Sequence, residues 1–265
     1  MIRFSERHGY VKLVVQRETI DEPLKNVLWN IVYRVLDCEN TPDDLLLLNA
    51  LWSRHWHLAE DQLRDYWVTA RNQIRDVFFT LPWYQIMDLL EFLAPIRQAE
   101  FNEALETHRS AYRLVSGKVV EVTDKASVEA IEKAIAATEP YPGVRAHLQA
   151  AVACLAKRPK ADYANSMKEA ISAVETLVRL IVNKPTATLG DALKDLRKYL
   201  PVHQALVNSW SNLYGYTSAE PGVRHGSGKD APKVGNADAM YMIVTCSAIV
   251  SYLIELTIKQ GKGKS

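Results

Sequence analysis

The chain has 265 residues, of which 48% are hydrophobic and 24% are charged, and its formal net charge is +1. This composition excludes a disordered chain, and the length suffices for two ordinary domains. The even charge balance excludes a broad electrostatic attraction to nucleic acid but permits a locally basic groove. The first residues, MIRFSERHGY, contain no apolar signal core, so we expect a cytoplasmic protein.

The first 111 residues predict an all-α module. Apolar residues recur at helical spacing, and Pro82 and Pro95 mark breaks. Within this module, Trp, Arg and His alternate from Trp52 to His57, a pattern that either binds RNA or places tryptophans in a core or partner-facing helix. His55 and His57 cannot share one helix face, which argues against a metal pair. The predicted helices span 22–36, 45–56, 61–80, 84–93 and 96–112.

A short β-hairpin is predicted at residues 112–122, where two β-prone runs flank Ser116-Gly117-Lys118. An isolated hairpin is marginally stable, so it must pack on a neighbouring helix. We therefore divide the chain into a helical domain over 1–111, a hairpin with a linker helix over 112–142, and a second helical domain over 143–265.

The second helical domain contains the most regular helical pattern of the chain, at 163–182. Asn165, Glu169 and Ser172 lie at i, i+4 and i+7, so they share a face that could border a substrate site. The alternative is a solvated face stabilised by a Glu175–Arg179 pair. The other helices predicted here span 144–156, 188–200 and 202–213, with a last one from about 236.

The last helical pattern contains a segment, 239–258, that approaches the length of a membrane span. Glu255 interrupts it, and three hydroxyl side chains dilute it. We expect a buried core helix and no membrane association. The three cysteines, Cys38, Cys154 and Cys246, are far apart and lie in apolar patterns. They predict buried free thiols, and the sequence indicates neither a metal site nor a cofactor.

A segment rich in Gly, Tyr and Pro lies between the last two helical patterns and reads YGYTSAEPGVRHGSG from Tyr214 to Gly228. Glycine and proline break helices, so this segment is predicted to be a loop. Arg224 and His225 form its chemical centre, since a permanent cation adjoins a side chain that titrates near neutral pH. We expect these two residues to be catalytic, and Tyr214, Tyr216 and Lys229 to contact a substrate.

Four stretches together resemble a known domain: DYANSMKEAISAVETLVRLI, TLGDAL, the Tyr214–Gly228 segment and the apolar final helix. They resemble the HEPN-type C-terminal domain of bacterial abortive-infection proteins. The opening FSERHGY and the helices after it are similar to the N-terminal domain that accompanies it in proteins of the abortive-infection J type.

The resemblance implies a C-terminal helix bundle that dimerises and places a shared site in the dimer cleft. It also implies a metal-independent ribonuclease whose signature is an arginine, a short spacer and a histidine. His225 matches the histidine, whereas Ser218, Ala219 and Glu220 occupy the positions expected for the arginine, and Arg224 is adjacent instead. Either Arg224 substitutes along a different path, or the fold has retained its shape and changed its chemistry.

Three functions therefore remain open from the sequence. The first is a phage-defence ribonuclease that cleaves RNA as a homodimer. The second is a binding or regulatory module that senses a phage component or holds a toxin or antitoxin partner. The third is a protein in which Tyr214 or Tyr216 accepts nucleotidyl groups from a partner enzyme.

Overall fold

The computed structural model describes residues 8, 14–36, 42–64, 66–122, 124–157, 160–219 and 234–261. The chain divides into two compact units, Met1–Thr123 (unit 1) and Asp124–Ser265 (unit 2). Over the described residues the structure is helical apart from one two-stranded hairpin, which confirms the all-α prediction. The hairpin belongs to unit 1 and the helix after it to unit 2, whereas the sequence grouped both in one linking segment.

Unit 1 is organised around its first and longest helices. α1 is Glu22–Leu36, as predicted, and its first turn is capped because Asp21 Oδ1 accepts a hydrogen bond from Leu24 N at 2.9 Å. The core contains large, fully buried side chains such as Leu28, Phe78 and Phe101. The remaining elements are α2 (Pro42–Asn49), a π-helix (Ala50–His55), a 3-10 turn (Glu60–Gln62), α3 (Trp67–Thr80), α4 (Trp83–Thr107), β1 (Tyr112–Val115) and β2 (Lys118–Glu121).

α3 begins later than the sequence pattern predicts. The helix expected from residue 61 starts at Trp67, and a 3-10 turn and an extended stretch precede it. The Gln73 side chain holds this stretch: its Oε1 accepts from Arg64 N at 2.9 Å and its Nε2 donates to Gln62 O at 2.9 Å. Tertiary hydrogen bonds therefore replace the helical ones that the apolar spacing favours.

α4 joins the two helices that the sequence placed on either side of Pro95. A proline inside a helix removes one hydrogen bond and clashes with the preceding turn. The resulting defect is a kink at Arg97, where φ is −140°, and not a separating loop. Leu93 before the kink and Phe101 after it are both fully buried, so the core holds the two halves together.

The predicted hairpin is present and packs on α4, as expected. Val115 pairs with Lys118, and the two turn residues between them, Ser116 and Gly117, both have positive φ, at 48° and 74°. Side chains of α4 bind the hairpin backbone: Glu91 Oε1 accepts from Val119 N at 2.7 Å and Gln98 Oε1 accepts from Gly117 N at 2.9 Å. These bonds give the short hairpin the neighbour that it requires.

Unit 2 is a helix bundle centred on α7. Its helices are α5 (Lys125–Ala137), α6 (Pro142–Ala156), α7 (Tyr163–Val182), α8 (Leu189–Leu196), α9 (Gln204–Ala219) and α10 (Asn236–Lys259). α7 has the predicted bounds and packs on α6 and α10. Its buried face includes Met167, Ile171, Val174 and Val178. The apolar spacing of this helix therefore predicted its orientation.

Polar side chains begin three of these helices. Asp124 accepts from Ser127 N at 2.8 Å, Asp162 from Asn165 N at 3.3 Å, and Thr188 from Asp191 N at 3.2 Å. Each satisfies a backbone donor that has no partner within the helix. α7 ends at Asn183, which adopts the left-handed conformation common at helix ends, with φ 53°.

α10 is the one helix in the described part of the chain that is long and apolar enough to cross a membrane. Half of the most apolar stretch of this helix is buried within the protein, against α5, α6 and α7. The opposite face is exposed and includes Tyr241 and Ile258. The helix is therefore a core element with one buried face, and it is not buried all round as its composition suggested.

Two of the three cysteines lie within the described residues. Cys246 is a free thiol in the core, where burial raises its pKa to about 12. Cys154 is free and half-buried, and burial raises its pKa first, with Asp162 contributing next. Both thiols are therefore poor nucleophiles near neutral pH. Cys38 lies outside the described residues.

The link between α4 and β1 gives a stability prediction. Asn102 Nδ2 donates to Leu114 O at 2.8 Å, and Asn102 Oδ1 accepts from Leu114 N at 2.7 Å. Asn102→Ala leaves the backbone N–H and C=O of Leu114, in a buried strand, without these partners. The free energy of unfolding measured by urea denaturation should therefore fall by about 1–3 kcal/mol. Asn30→Ala, at an exposed position of α1, should change it by less than about 0.5 kcal/mol. Equal values for the two variants would contradict this role of Asn102.

Candidate functional site

The predicted catalytic segment begins later than its composition suggested. α9 extends to Ala219, so Tyr214, Gly215 and Tyr216 are helical and the prediction of a loop from Tyr214 was wrong. A single glycine weakens a helix by only about 1 kcal/mol. Tertiary packing offsets that loss, since Thr217, two residues after Gly215, is fully buried.

The two tyrosines lie on different faces of α9. Because they are two positions apart in a helix, their side chains point in nearly opposite directions. Tyr214 is half-buried, whereas Tyr216 is 39% exposed. Tyr216 is therefore the better placed of the two to stack on a ligand.

Arg224, His225 and Lys229, the predicted catalytic pair and a predicted contact, lie in 220–233, outside the described residues. The described chain resumes at Val234, immediately before α10. Asp238 in the first turn of α10 reaches back, and its Oδ2 accepts from Gly235 N at 2.9 Å. This bond closes the start of α10, and it anchors the end of the connecting segment at Gly235 to unit 2.

A basic recess of about 320 Å³ adjoins that anchored end. Val234 lines it together with Lys157, Lys160, Asp162 and Tyr163, from the region where α6 gives way to α7. Lys157 Nζ lies 3.5 Å from Asp162 Oδ2. Hydrogen bonding from Asn165 and the charge of Lys157 hold the pKa of Asp162 below its usual range. The recess therefore combines two ammonium groups with one carboxylate that also caps α7.

Each of the three polar residues predicted on α7 has a partner within unit 2. Asn165 Nδ2 donates to Asp162 Oδ2 at 2.9 Å, which places Asn165 beside the basic recess. Ser172 Oγ donates to Lys168 O at 2.8 Å, in the preceding turn of its own helix. Of these two side chains, Asn165 is the one adjacent to the recess lining.

Glu169 forms a pair that the sequence did not reveal. Its Oε2 lies 2.7 Å from Nδ1 of His147 on α6, and both side chains are partly exposed. A carboxylate that hydrogen-bonds to an imidazole fixes the orientation of the ring. The pairing depends on how α6 packs on α7, so neither helix pattern alone could have predicted it.

The Glu175–Arg179 pair, the structural alternative for this face of α7, is present. Arg179 Nη2 lies 3.1 Å from Glu175 Oε1, and Glu175 Oε1 also accepts from Leu189 N at 3.0 Å. These bonds tie α7 to the start of α8. This part of α7 therefore serves the fold, whereas its N-terminal part borders the recess.

The Trp52–His57 cluster lies in unit 1. Trp52 is buried, and its Nε1 donates to Ala59 O at 2.8 Å, in keeping with the predicted core role for a tryptophan here. Among the residues that the structure describes, no three His, Cys, Asp or Glu side chains are arranged to hold a metal ion.

The N-terminal half of the chain matches a family of known proteins. The family model for AbiJ N-terminal domain 4 matches residues 2–137. No curated protein and no solved structure matches the chain. Because the matched residues make up more than half of the sequence, the chain belongs to the AbiJ N-terminal domain 4 family, which places it among abortive-infection, phage-defence proteins.

Proposed function

We propose that this protein is a phage-defence ribonuclease and that its C-terminal unit cleaves RNA without a metal ion. Arg224 and His225 are the proposed catalytic residues. The family membership supports the defence role. The observation that carries the proposed chemistry is the basic recess, because the segment with Arg224 and His225 ends at Val234, one of its lining residues.

The recess offers a binding place for a nucleic acid phosphate. Lys157 and Lys160 supply two cations, and His225 precedes Val234 by nine residues. Phosphate contacts from lysines dominate the affinity of most proteins for nucleic acid. Lys229, within the same connecting segment, would add a third cation. The chain is nearly neutral overall, so such a local cluster is the kind of basic groove that its composition permits.

The proposed reaction is an internal transesterification of RNA. His225 accepts the proton of a ribose 2′-OH, whose oxygen attacks the adjacent phosphorus while the bond to the 5′ oxygen breaks. The departing 5′ oxygen takes up a proton, and the products are a 2′,3′-cyclic phosphate and a 5′-hydroxyl. Arg224 stabilises the charge that develops on the phosphate, and Tyr216 provides a surface on which a base can stack.

A homodimer through unit 2 would complete this site. Two copies of His225 would supply a base for the 2′-OH and an acid for the leaving oxygen. The exposed face of α10 supports such an interface, since Tyr241 is 60% exposed and Ile258 is 63% exposed. The dimer remains part of the proposal.

A specific observation favours a second function, that of a binding or regulatory module. The positions where the resemblance requires an arginine hold Ser218, Ala219 and Glu220, none of which is basic. A unit without that arginine could retain affinity for RNA or for a phage or antitoxin protein without cleaving. Activity and binding must therefore be measured separately.

The activity test compares wild type with His225→Ala on total cellular RNA in EDTA. Wild type should cleave, and loss of a proton-transfer group should lower the rate by about 10²–10⁴-fold. His108→Ala, which removes a histidine from unit 1, serves as the matched control and should cleave at the wild-type rate. Residual cleavage that is equal in wild type and His225→Ala would refute the assignment of His225.

The binding test targets the recess itself. The Lys157→Ala/Lys160→Ala double variant should bind an uncleavable single-stranded oligonucleotide more weakly in fluorescence anisotropy. The plot of the logarithm of the association constant against the logarithm of salt concentration should become shallower by about 1.4, since each phosphate contact to a single strand contributes about 0.7 to its slope. Lys125→Ala/Lys133→Ala, which removes the same charge from α5, should leave the slope unchanged. A slope that falls equally in both variants would show that only net charge matters.

A further inference from the structure

Unit 1 contains a second recess, also of about 320 Å³, which the proposed ribonuclease function does not use. It lies where the end of the π-helix meets the last turn of α3 and the first turns of α4. Its volume is within the range of pockets that bind small molecules, about 300–1,000 Å³. A ligand of that size would be enclosed by one compact unit and would need no second domain.

The backbone beside this recess is unusual in two ways. Ala50–His55 forms a π-helix, a rare conformation that is frequent at functional sites. His57 then adopts a left-handed conformation with φ 54°, which is strained for a residue other than glycine. As a result His55 and His57 both line the recess, although two residues at this spacing cannot share a face of a regular helix. The spacing rule applies to a continuous helix, and the chain leaves the helix between these two residues.

Aromatic and aliphatic side chains form one side of the recess. Leu58, Val77 and Leu81 line it and are only partly buried, so they present apolar surface to whatever occupies it. The Trp56 indole also lines the recess, and the His55 ring packs on Phe92 with centroids 4.9 Å apart. Flat, apolar walls of this kind favour a planar ligand.

The polar groups at the recess require a ligand that both donates and accepts hydrogen bonds. Asp88 and Gln85 are exposed on the first turns of α4 and line the recess. Burial raises the pKa of Asp88, and burial likewise lowers the pKa of His55, so the environment is less polar than water. The carboxylate of Asp88 accepts hydrogen bonds, and the side-chain amide of Gln85 both donates and accepts them.

The charge of the lining restricts the ligand further. Among the described residues that line the recess, none is Lys or Arg, and Asp88 is the acidic one. Burial disfavours the charged form of His55, one of the two histidines in the lining, so a phosphate would meet a carboxylate without a permanent cation to balance its charge. A neutral ring with N–H donors meets no such penalty, and its ring nitrogens or carbonyl oxygens supply acceptors.

We propose that this recess binds a neutral heteroaromatic molecule of the nucleobase or nucleoside class. Its ring packs on the apolar wall, and its N–H groups donate to Asp88. The site lies in unit 1, within the residues that the family match covers, and is independent of the RNA site proposed for unit 2.

The test is isothermal titration calorimetry of the full-length protein with guanosine, adenosine, cytidine and uridine in turn. At least one nucleoside should bind saturably below 1 mM, and Asp88→Asn should weaken its binding about tenfold or more, since a charge-assisted hydrogen bond is lost. Asp76→Asn, a matched change at an exposed position of α3 that does not line the recess, should bind as wild type does.

Two further variants separate the outcomes. Val77→Phe narrows the recess and should also weaken binding, so the recess is still tested if Asp88→Asn changes the fold. His225→Ala should bind the nucleoside as wild type does. Absence of binding by all four nucleosides at 1 mM would overturn the proposal. So would wild-type affinity in both Asp88→Asn and Val77→Phe, or a loss of affinity in His225→Ala, which would assign the nucleoside to the RNA site.

Discussion

The packing of α7 against α6 and α10 is the interaction on which unit 2 depends. Residues on one face of α7, including Met167, Ile171 and Val174, are excluded from water almost completely. Alanines on the same face, Ala170 and Ala173, are also fully buried and leave space for the neighbouring helices to approach closely. Because burial of this face fixes the rotation of α7, it also determines which side chains remain at the surface. The polar stripe that begins at Asn165 is a consequence of that constraint.

Asp162 contributes both to the stability of α7 and to the proposed binding site. Its carboxylate caps α7, receives the Asn165 amide and lies near Lys157, while the residue itself lines the basic recess. The same carboxylate thus orders the helix start and partly neutralises the cations that would hold a phosphate. As a result, the recess keeps a net positive charge, while one of its two lysines, Lys157, is already paired with a carboxylate. His147 and Glu169, on the next turns of the same helix pair, are positioned by the same packing.

The sequence predicted α1 and α7 to the residue, because both combine strong apolar periodicity with clear start signals. It also predicted the hairpin, although Lys118, which the prediction placed in the turn, is the first residue of β2. It failed where tertiary packing overrode a local breaker: Pro95 produces a kink within one helix, and Gly215 remains helical. It could not predict the His147–Glu169 pair or the approach of His55 and His57 to one recess. The first requires two helices to pack in register, and the second requires a left-handed residue that no residue pattern indicates.

In the proposed reaction, an RNA 2′-hydroxyl is the nucleophile at a site formed around Arg224 and His225. The most direct measurement uses a short RNA with a mapped cleavage position and the same strand carrying one 2′-deoxynucleotide on the 5′ side of that bond. Wild type should cleave the first strand to a 2′,3′-cyclic phosphate and leave that bond intact in the second. Cleavage of both strands at the same bond and rate would contradict it, because the attacking oxygen would then come from water.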